Sequence, residues 1–408
     1  LYTQISLLFL SFLTIFQICF LIFNFSKGLN TTDDSYYLLS SLHFKDMKYE
    51  ISKFYIIFGY VLKFLDYNIY YLRIFGLLIL VLSTYFFIHY FNIYNKFYFK
   101  SDEYYLFLLC SVNGILNYYY NWQTNPSYNL LNIVGFLLLI GSFFGIIKNY
   151  KNSFINYIKF ILAGTLGVAF ITFAKVASII IFLPFLFFLL YFFLEKKIFF
   201  QIIFSSSILL LVMFIIFISN FYSFPIFYED IFGAYEMRKL MGYNQNGFFG
   251  LIYSNLKEII FEIFKYLYIF LFLFFTVIIC DLKIFRKINS LIFISSIFLI
   301  LFFTGSLITI VFFLFILSLI DYLMNIKKNE NKKFLYILTF LCFTSFSISF
   351  GTNTGIVNHI KYSYIFLIII IYFFIIKFVS KNNYDKFISL FIILFFISIN
   401  IYNGYKYP

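Results

Sequence analysis

Polar residues along this chain fall in short clusters, and the apolar stretches between them are of similar length. Runs near twenty residues recur at roughly 6–25, 71–91, 103–119, 128–147, 154–174, 176–194, 199–219, 259–280, 289–304, 306–324, 334–350, 362–379 and 387–402. About twenty apolar residues make a helix long enough to cross a bilayer. The pattern therefore predicts an all-α polytopic membrane protein with about thirteen transmembrane helices. A membrane β-barrel would show short alternating segments instead. The separations near Lys175 and Gly305 are the least marked, because apolar sequence closes in on both sides. The first run is too long for a signal-peptide core and lacks a small-residue cleavage site, so it reads as a retained helix. The chain starts at Leu1 and stops at Pro408 just after an apolar run, which leaves either end open to truncation. The expected organisation is a single transmembrane domain over residues 1–408.

One apolar stretch breaks the rule. "FYIIFGYVLKFL" (54–65) has only twelve residues, too few to span. With Lys53 and Lys63 on its flanks it suits a helix lying in the membrane interface, its lysines near the head groups.

Composition narrows the class. Hydrophobic residues make up 63% of the 408 and charged residues 12%, with a mean hydropathy of +0.94; a soluble domain of this length cannot bury so much apolar surface. Phe, Tyr, Ile, Lys and Asn are abundant while Ala and Arg are scarce, the residue set that AT-rich codons favour. The 68 phenylalanines thus carry no functional weight. The composition reads as bacterial, which discounts the glycosylation sequon Asn30-Thr31-Thr32. The four cysteines (Cys19, Cys110, Cys280, Cys342) sit inside apolar runs without a CxxC pair, so redox or zinc chemistry has little support.

Charge gives the orientation. "NKFYFKSDE", "KNYKN", "EKK", "DLKIFRK", "KKNENKK" and "KFVSKNNYDK" each carry at least two basic residues, whereas "YNWQTNPS", "TGS" and "GTNTGIVNHIK" hold one among them. The basic set is cytoplasmic by the positive-inside rule. The formal +13 is then a topogenic and anionic-lipid signal, with no nucleic-acid partner expected. Two longer segments, 26–70 and 220–258, fall on the outer side, where loops and cavity-facing ionisable residues carry function.

The first outer segment opens with "NTTDDSYYLL" (30–39). Asp33 and Asp34 leave the first span directly before two tyrosines. A carboxylate there is placed to take a proton from a substrate hydroxyl at the membrane surface. Equally, Thr32 or Asp33 could N-cap the helix that follows. Successive helical residues point about 100° apart, so the two aspartates are not expected to do the same job.

The order of elements (span, acidic pair, interfacial helices, Arg73 opening span two in "YYLRIFGLLIL") resembles the GT-C fold glycosyltransferases. These include protein O-mannosyltransferases, lipid A aminoarabinose transferases and a bacterial Rgt-like group, which take a sugar from a polyprenyl-phosphate carrier. Asp33-Asp34-Ser35-Tyr36-Tyr37 is similar to their Asp-[Asp/Glu]-x-x-Tyr. "NPSYNLL" (125–131) resembles their Pro-x-Tyr-Asn start of span four. "FAKVAS" (173–178) resembles their Lys-Pro-[Ser/Thr] turn, with Val176 where proline is usual.

The resemblance implies a GT-C-like fold and an inverting transfer of sugar from a polyprenyl-phosphate donor to a glycan, lipid or protein acceptor. It places this chemistry on the periplasmic side of the bacterial inner membrane. It implies Asp33 as general base, with Asp34 orienting it, touching the acceptor or ligating a cation. The leaving phosphate needs cations, and Arg73, Lys175, Arg238 and Lys361 are the outer-side candidates. Each alone reads sooner as a snorkelling interfacial residue than as a ligand; Lys175, between two apolar spans with almost no loop, is the exception. Tyr36, Trp122, Tyr128, Asn129, Asn353 and His359 are candidates to position substrate. A divalent cation, magnesium or manganese, is left open, with no ligand set assigned; the acidic residue that several branches carry near Trp122 is absent here.

Two other readings stand beside this one. A lipid-linked oligosaccharide flippase should show repeated halves and broken mid-membrane helices, and no repeat is evident. An O-antigen polymerase should concentrate arginines in large outer loops, whereas the chain holds only Arg73, Arg238 and Arg286.

Overall fold

The computed structural model describes residues 2–28, 32–50, 52–94, 101–121, 124–150, 154–221, 224–240, 247–265 and 329–350, with Ser363, Ile365, Phe366, Ile368 and Ile369. The expected spans at 289–304, 306–324 and 387–402, most of 362–379, and the part of 259–280 beyond Lys265 lie outside these residues. Among the described residues all regular structure is helical. The helices are α1 (Tyr2–Asn24), α2 (Thr32–Leu42), α3 (Phe54–Phe64), α4 (Ile69–Tyr94), α5 (Ser101–Leu116), α6 (Tyr128–Asn149), α7 (Phe154–Ala174), α8 (Val176–Phe193), α9 (Lys196–Phe221), α10 (Phe224–Leu240), α11 (Gly247–Lys265) and α12 (Asn329–Ser349).

Among the described residues six helices are long and apolar enough to cross a membrane: Gln4–Asn24, Ile69–Tyr94, Tyr128–Asn149, Tyr157–Ala174, Val176–Phe193 and Lys196–Ser219. The stretch expected as a span at 103–119 is shorter as an α-helix: α5 has 16 residues and tightens into a 3-10 segment, Asn117–Asn121. The least marked separation resolves cleanly. Lys175 alone breaks α7 from α8, with φ −149° and ψ 91°.

The chain groups into two compact units. One comprises Leu1–Leu13, Ser101–Asn117 and Phe249–Asn403. Its helix α12 carries a run of hydroxyls that bond back to its own carbonyls, Thr344 to Phe340 O at 2.7 Å and Ser345 to Leu341 O at 3.1 Å. Such bonds let polar side chains sit in an apolar setting.

The other unit comprises Thr14–Lys100, Tyr118–Phe248 and Gly404–Pro408. Helix α6 is its core: 94% of its apolar window is buried, against 11% for α9. Small residues explain the difference, since without side chains helix backbones approach closely. A Cβ on Gly135 of α6 would meet the carbonyl of Gly167 on α7, and one on Gly167 would meet that of Gly135. Gly141 is filled in the same way by Phe86 of α4, and Gly145 by the ring of Phe160. Leucine in place of Gly167 should force α6 and α7 apart and cost about 1–3 kcal/mol by overpacking. The check is a lower thermal unfolding temperature in detergent, with Gly28→Ala, where nothing lies within 4 Å, as the unaffected control.

Bonds between the helix ends give the unit its polarity. Ser127 caps α6, its hydroxyl accepting from the Asn129 and Leu130 amides. The Phe173 carbonyl at the end of α7 accepts from the Lys53 amide at 2.7 Å and the Ser52 hydroxyl at 3.1 Å, which satisfies a helix-terminal acceptor. Thus the segment between α1 and α4, the start of α6 and the α7–α8 junction lie at one end of the bundle. This common end agrees with the alternation expected from the loop charges.

Helix α3 is the short apolar stretch of the sequence, 11 residues long. It buries Tyr55, Phe58, Gly59 and Leu62 and exposes Tyr60, Lys63 and Phe64. The expectation that Lys53 sits among head groups is corrected. Lys53 is 4% exposed and paired with Asp230 of α10, because a buried cation needs an opposite charge.

Candidate functional site

The two aspartates occupy the first turn of α2, where a carboxylate is favoured by the helix dipole. Their environments differ completely. Asp34 is fully buried and Asp33 is exposed.

Asp34 belongs to a buried knot. Its carboxylate accepts from the Thr124 hydroxyl and from the Asn125 amide, both at 2.7 Å. The Asn125 side-chain amide donates to the Asp34 carbonyl at 3.1 Å. Arg73, 2% exposed, donates from Nε to Asn125 Oδ1 at 2.8 Å and from Nη1 to the carbonyls of Phe25 and Lys27, each at 2.8 Å. Its Nη2 lies 3.8 Å from Asp34 Oδ2. The end of α1, the start of α2, the start of α4 and the segment before α6 are thereby tied together.

Asp33 lies one helical turn from Tyr36 and Tyr37, on the same face of α2. That face is aromatic. The Tyr37 ring meets Tyr36 at 5.7 Å, Phe54 at 5.5 Å and Tyr128 at 5.7 Å between centroids. Over the Tyr128 ring, 5.3 Å from its centroid, stands the ammonium of Lys175. Lys175 is 8% exposed, and burial pushes its ammonium down to about 7. At neutral pH it is poised between charged and neutral, and an arriving anion would favour the charged form.

Sequence reasoning missed a second charged group on this side. Burial and the neighbouring Glu50 carboxylate, within hydrogen-bonding reach, raise the Tyr36 phenol above its usual range. Glu50 also acts electrostatically on Lys53, although burial dominates there and lowers the ammonium. Asp230 binds both the Lys53 ammonium and the Tyr49 amide. The Tyr49 ring packs where a side chain at Gly233 would have to go. Tyr49, Ser52 and Lys53 are thus held against α10 and the end of α7.

Of the residues singled out from the sequence, the structure joins Tyr36, Tyr128 and Lys175 through the buried ring of Tyr37, leaves Asp33 exposed one helical turn from Tyr36, and buries Asp34 and Arg73 in the hydrogen-bonded knot. Asn129 is 1% exposed, and among the described residues its side-chain amide finds no hydrogen-bond partner. Trp122, Asn353, His359 and Lys361 lie outside the described residues, as does the side chain of Arg238, whose backbone is in α10. Among the described residues no set of three or more His, Cys, Asp or Glu comes together as metal ligands. No protein-family model matches the chain, and no curated protein or solved structure does either.

Proposed function

We propose that this protein is an inverting membrane glycosyltransferase of GT-C type, moving a sugar from a polyprenyl-phosphate donor to an envelope acceptor on the outer face of the bacterial inner membrane. One observation carries the reading. The buried Lys175 ammonium stands over the aromatic cluster of Tyr128, Tyr37 and Tyr36, and the exposed carboxylate of Asp33 lies one helical turn from Tyr36, at the end of the bundle where a lipid-borne head group would arrive.

The chemistry follows from the roles of these groups. Asp33 takes the proton of an acceptor hydroxyl as its oxygen bonds to the anomeric carbon. The bond from that carbon to the phosphate oxygen breaks, and the lipid phosphate leaves as an anion. Lys175, protonated by its approach, offsets that charge. Tyr36 and Tyr128, backed by the buried ring of Tyr37, offer aromatic faces to the sugar, and Glu50 holds the Tyr36 hydroxyl. The buried Asp34–Arg73 knot keeps the first turn of α2 in place.

The test is transfer of labelled sugar from a polyprenyl-phosphate donor to endogenous acceptor in membranes containing the protein. Lys175→Met should raise the apparent KM for donor about tenfold or more, with protein level unchanged. The pH dependence gives the sign. The donor phosphodiester stays ionised, so its binding should strengthen as pH falls from 8.5 to 6, while Lys175 gains its proton near 7. In Lys175→Met that slope should vanish. A wild-type donor affinity that is flat across this range would remove Lys175 from the phosphate site.

A further inference from the structure

Lys53 and Asp230, each 4% exposed, form an ion pair that the proposed reaction does not use. Asp230 reaches it from α10, which is seated on α9 independently of charge. The Phe227 ring lies 5.7 Å from that of Phe214 and 6.1 Å from that of Phe217 between centroids. One turn on, Asp230 and Gly233 meet the stretch before α3. Asp230 Oδ1 accepts from the Tyr49 amide and Oδ2 from the Lys53 ammonium, so one carboxylate holds that stretch at two points.

Tyr49 shows what this hold imposes. Its φ is 59°, in the left-handed region that a bulky L residue avoids. Such a conformation persists only where the surrounding contacts over-determine it. Here they are the Asp230 bond at the Tyr49 amide and Gly233, which leaves room for the Tyr49 ring. The next residue is Glu50. Its carboxylate lies within hydrogen-bonding reach of the Tyr36 hydroxyl, and its charge also acts on the Lys53 ammonium. Around that ammonium stand Asp230, the Tyr55 hydroxyl at 3.4 Å and, more remotely, Glu50. A buried cation needs a carboxylate. While Asp230 supplies it, Glu50 stays with Tyr36.

We propose that Asp230 is a positioning residue for the sugar-binding face of α2: by occupying Lys53 it leaves the Glu50 carboxylate to orient Tyr36. The role of Tyr36 toward a sugar rests on the glycosyltransferase reading, whereas the coupling from Asp230 to Tyr36 does not. In Asp230→Asn the side-chain oxygen keeps the Tyr49 amide bond, but the new N–H₂ meets the Lys53 ammonium as donor against donor. Lys53 then draws Glu50 away from Tyr36. Removing the ammonium as well, by combining Lys53→Met with Asp230→Asn, leaves no competing cation and returns Glu50 to Tyr36.

The experiment builds 3-fluorotyrosine into the full chain in place of Tyr36 and reads its fluorine resonance in detergent micelles. Glu50→Gln defines the displacement that marks loss of the carboxylate. Asp230→Asn should move the resonance in the same direction, and the double variant should return it to the parental position. Glu229→Gln, an exposed neighbour on α10, should leave it in place. In the transfer assay Asp230→Asn should raise the donor KM about fivefold, the usual worth of one hydrogen bond, with kcat little changed. The double variant should restore that KM. A resonance that Asp230→Asn leaves unmoved would overturn the proposal. So would a double variant that stays displaced, since a merely structural pin is broken by both changes alike. That arm decides alone should Asp230→Asn fail to fold, because deleting both members of a buried pair is tolerated where deleting one is not. A parent chain that transfers no sugar while its resonances behave as expected would refute the glycosyltransferase reading and support the coupling.

Discussion

Asparagine in place of Asp33 is expected to lower sugar transfer by roughly two to four orders of magnitude, the usual worth of a positioned general base. The substitution keeps side-chain shape and hydrogen-bonding capacity at the start of α2, and asparagine supports a helix start about as well as aspartate. Because Asp33 is exposed and no salt bridge among the described residues involves it, protein level and thermal stability should stay within about 0.5 kcal/mol of the parent. The measurement is initial rate against donor concentration in membranes, normalised to folded protein. kcat should collapse with little change in the apparent KM for donor, since the carboxylate acts in the transition state. A fully active Asp33→Asn protein would remove the base from the mechanism and return Asp33 to a helix-dipole role.

How far the sequence reached is best judged residue by residue. The single-residue break at Lys175 was legible because a lysine between two apolar runs has no other cheap place to be. The short helix α3 was legible from length alone. That Asp33 and Asp34 would have unlike environments followed from helix geometry, but which of them would be buried did not, because that depends on Thr124 and Asn125, some ninety positions away in the chain. Arg73 was read as a phosphate candidate, whereas it is bonded to the backbone carbonyls of Phe25 and Lys27, and backbone partners leave no mark in side-chain patterns. Lys53 shows the same limit. A lysine flanking an apolar helix looks identical whether it snorkels to head groups or pairs with a distant carboxylate. Its partner Asp230 lies 177 positions on. Glu50 went unnoticed because a lone glutamate in a mixed-charge loop has no local signature; only the fold sets it beside Tyr36.

Arg73→Met is expected to be the most destabilising single change at this end of the bundle. It removes the donors to three acceptors, the carbonyls of Phe25 and Lys27 and the side chain of Asn125, and leaves the Asp34 carboxylate buried without its cation. Breaking a buried ion pair by deleting one partner costs about 3–5 kcal/mol, and the unsatisfied carbonyls add to it. Asp34→Asn should cost less. Its oxygen can keep one of the bonds from Thr124 or Asn125, although its new N–H₂ then faces a donor where the carboxylate accepted. The double variant should lose less than the sum of the two, because the second change relieves the charge stranded by the first. Thermal unfolding of the purified protein in detergent measures all three, and transfer assayed per folded molecule separates stability from catalysis. The expected signature is a large fall in stability with the donor KM nearly unchanged in whatever folded protein remains. A stable Arg73→Met protein with a raised donor KM would instead make Arg73 the phosphate ligand that the resemblance implies. The knot around Asp34 would then be part of the site rather than its foundation.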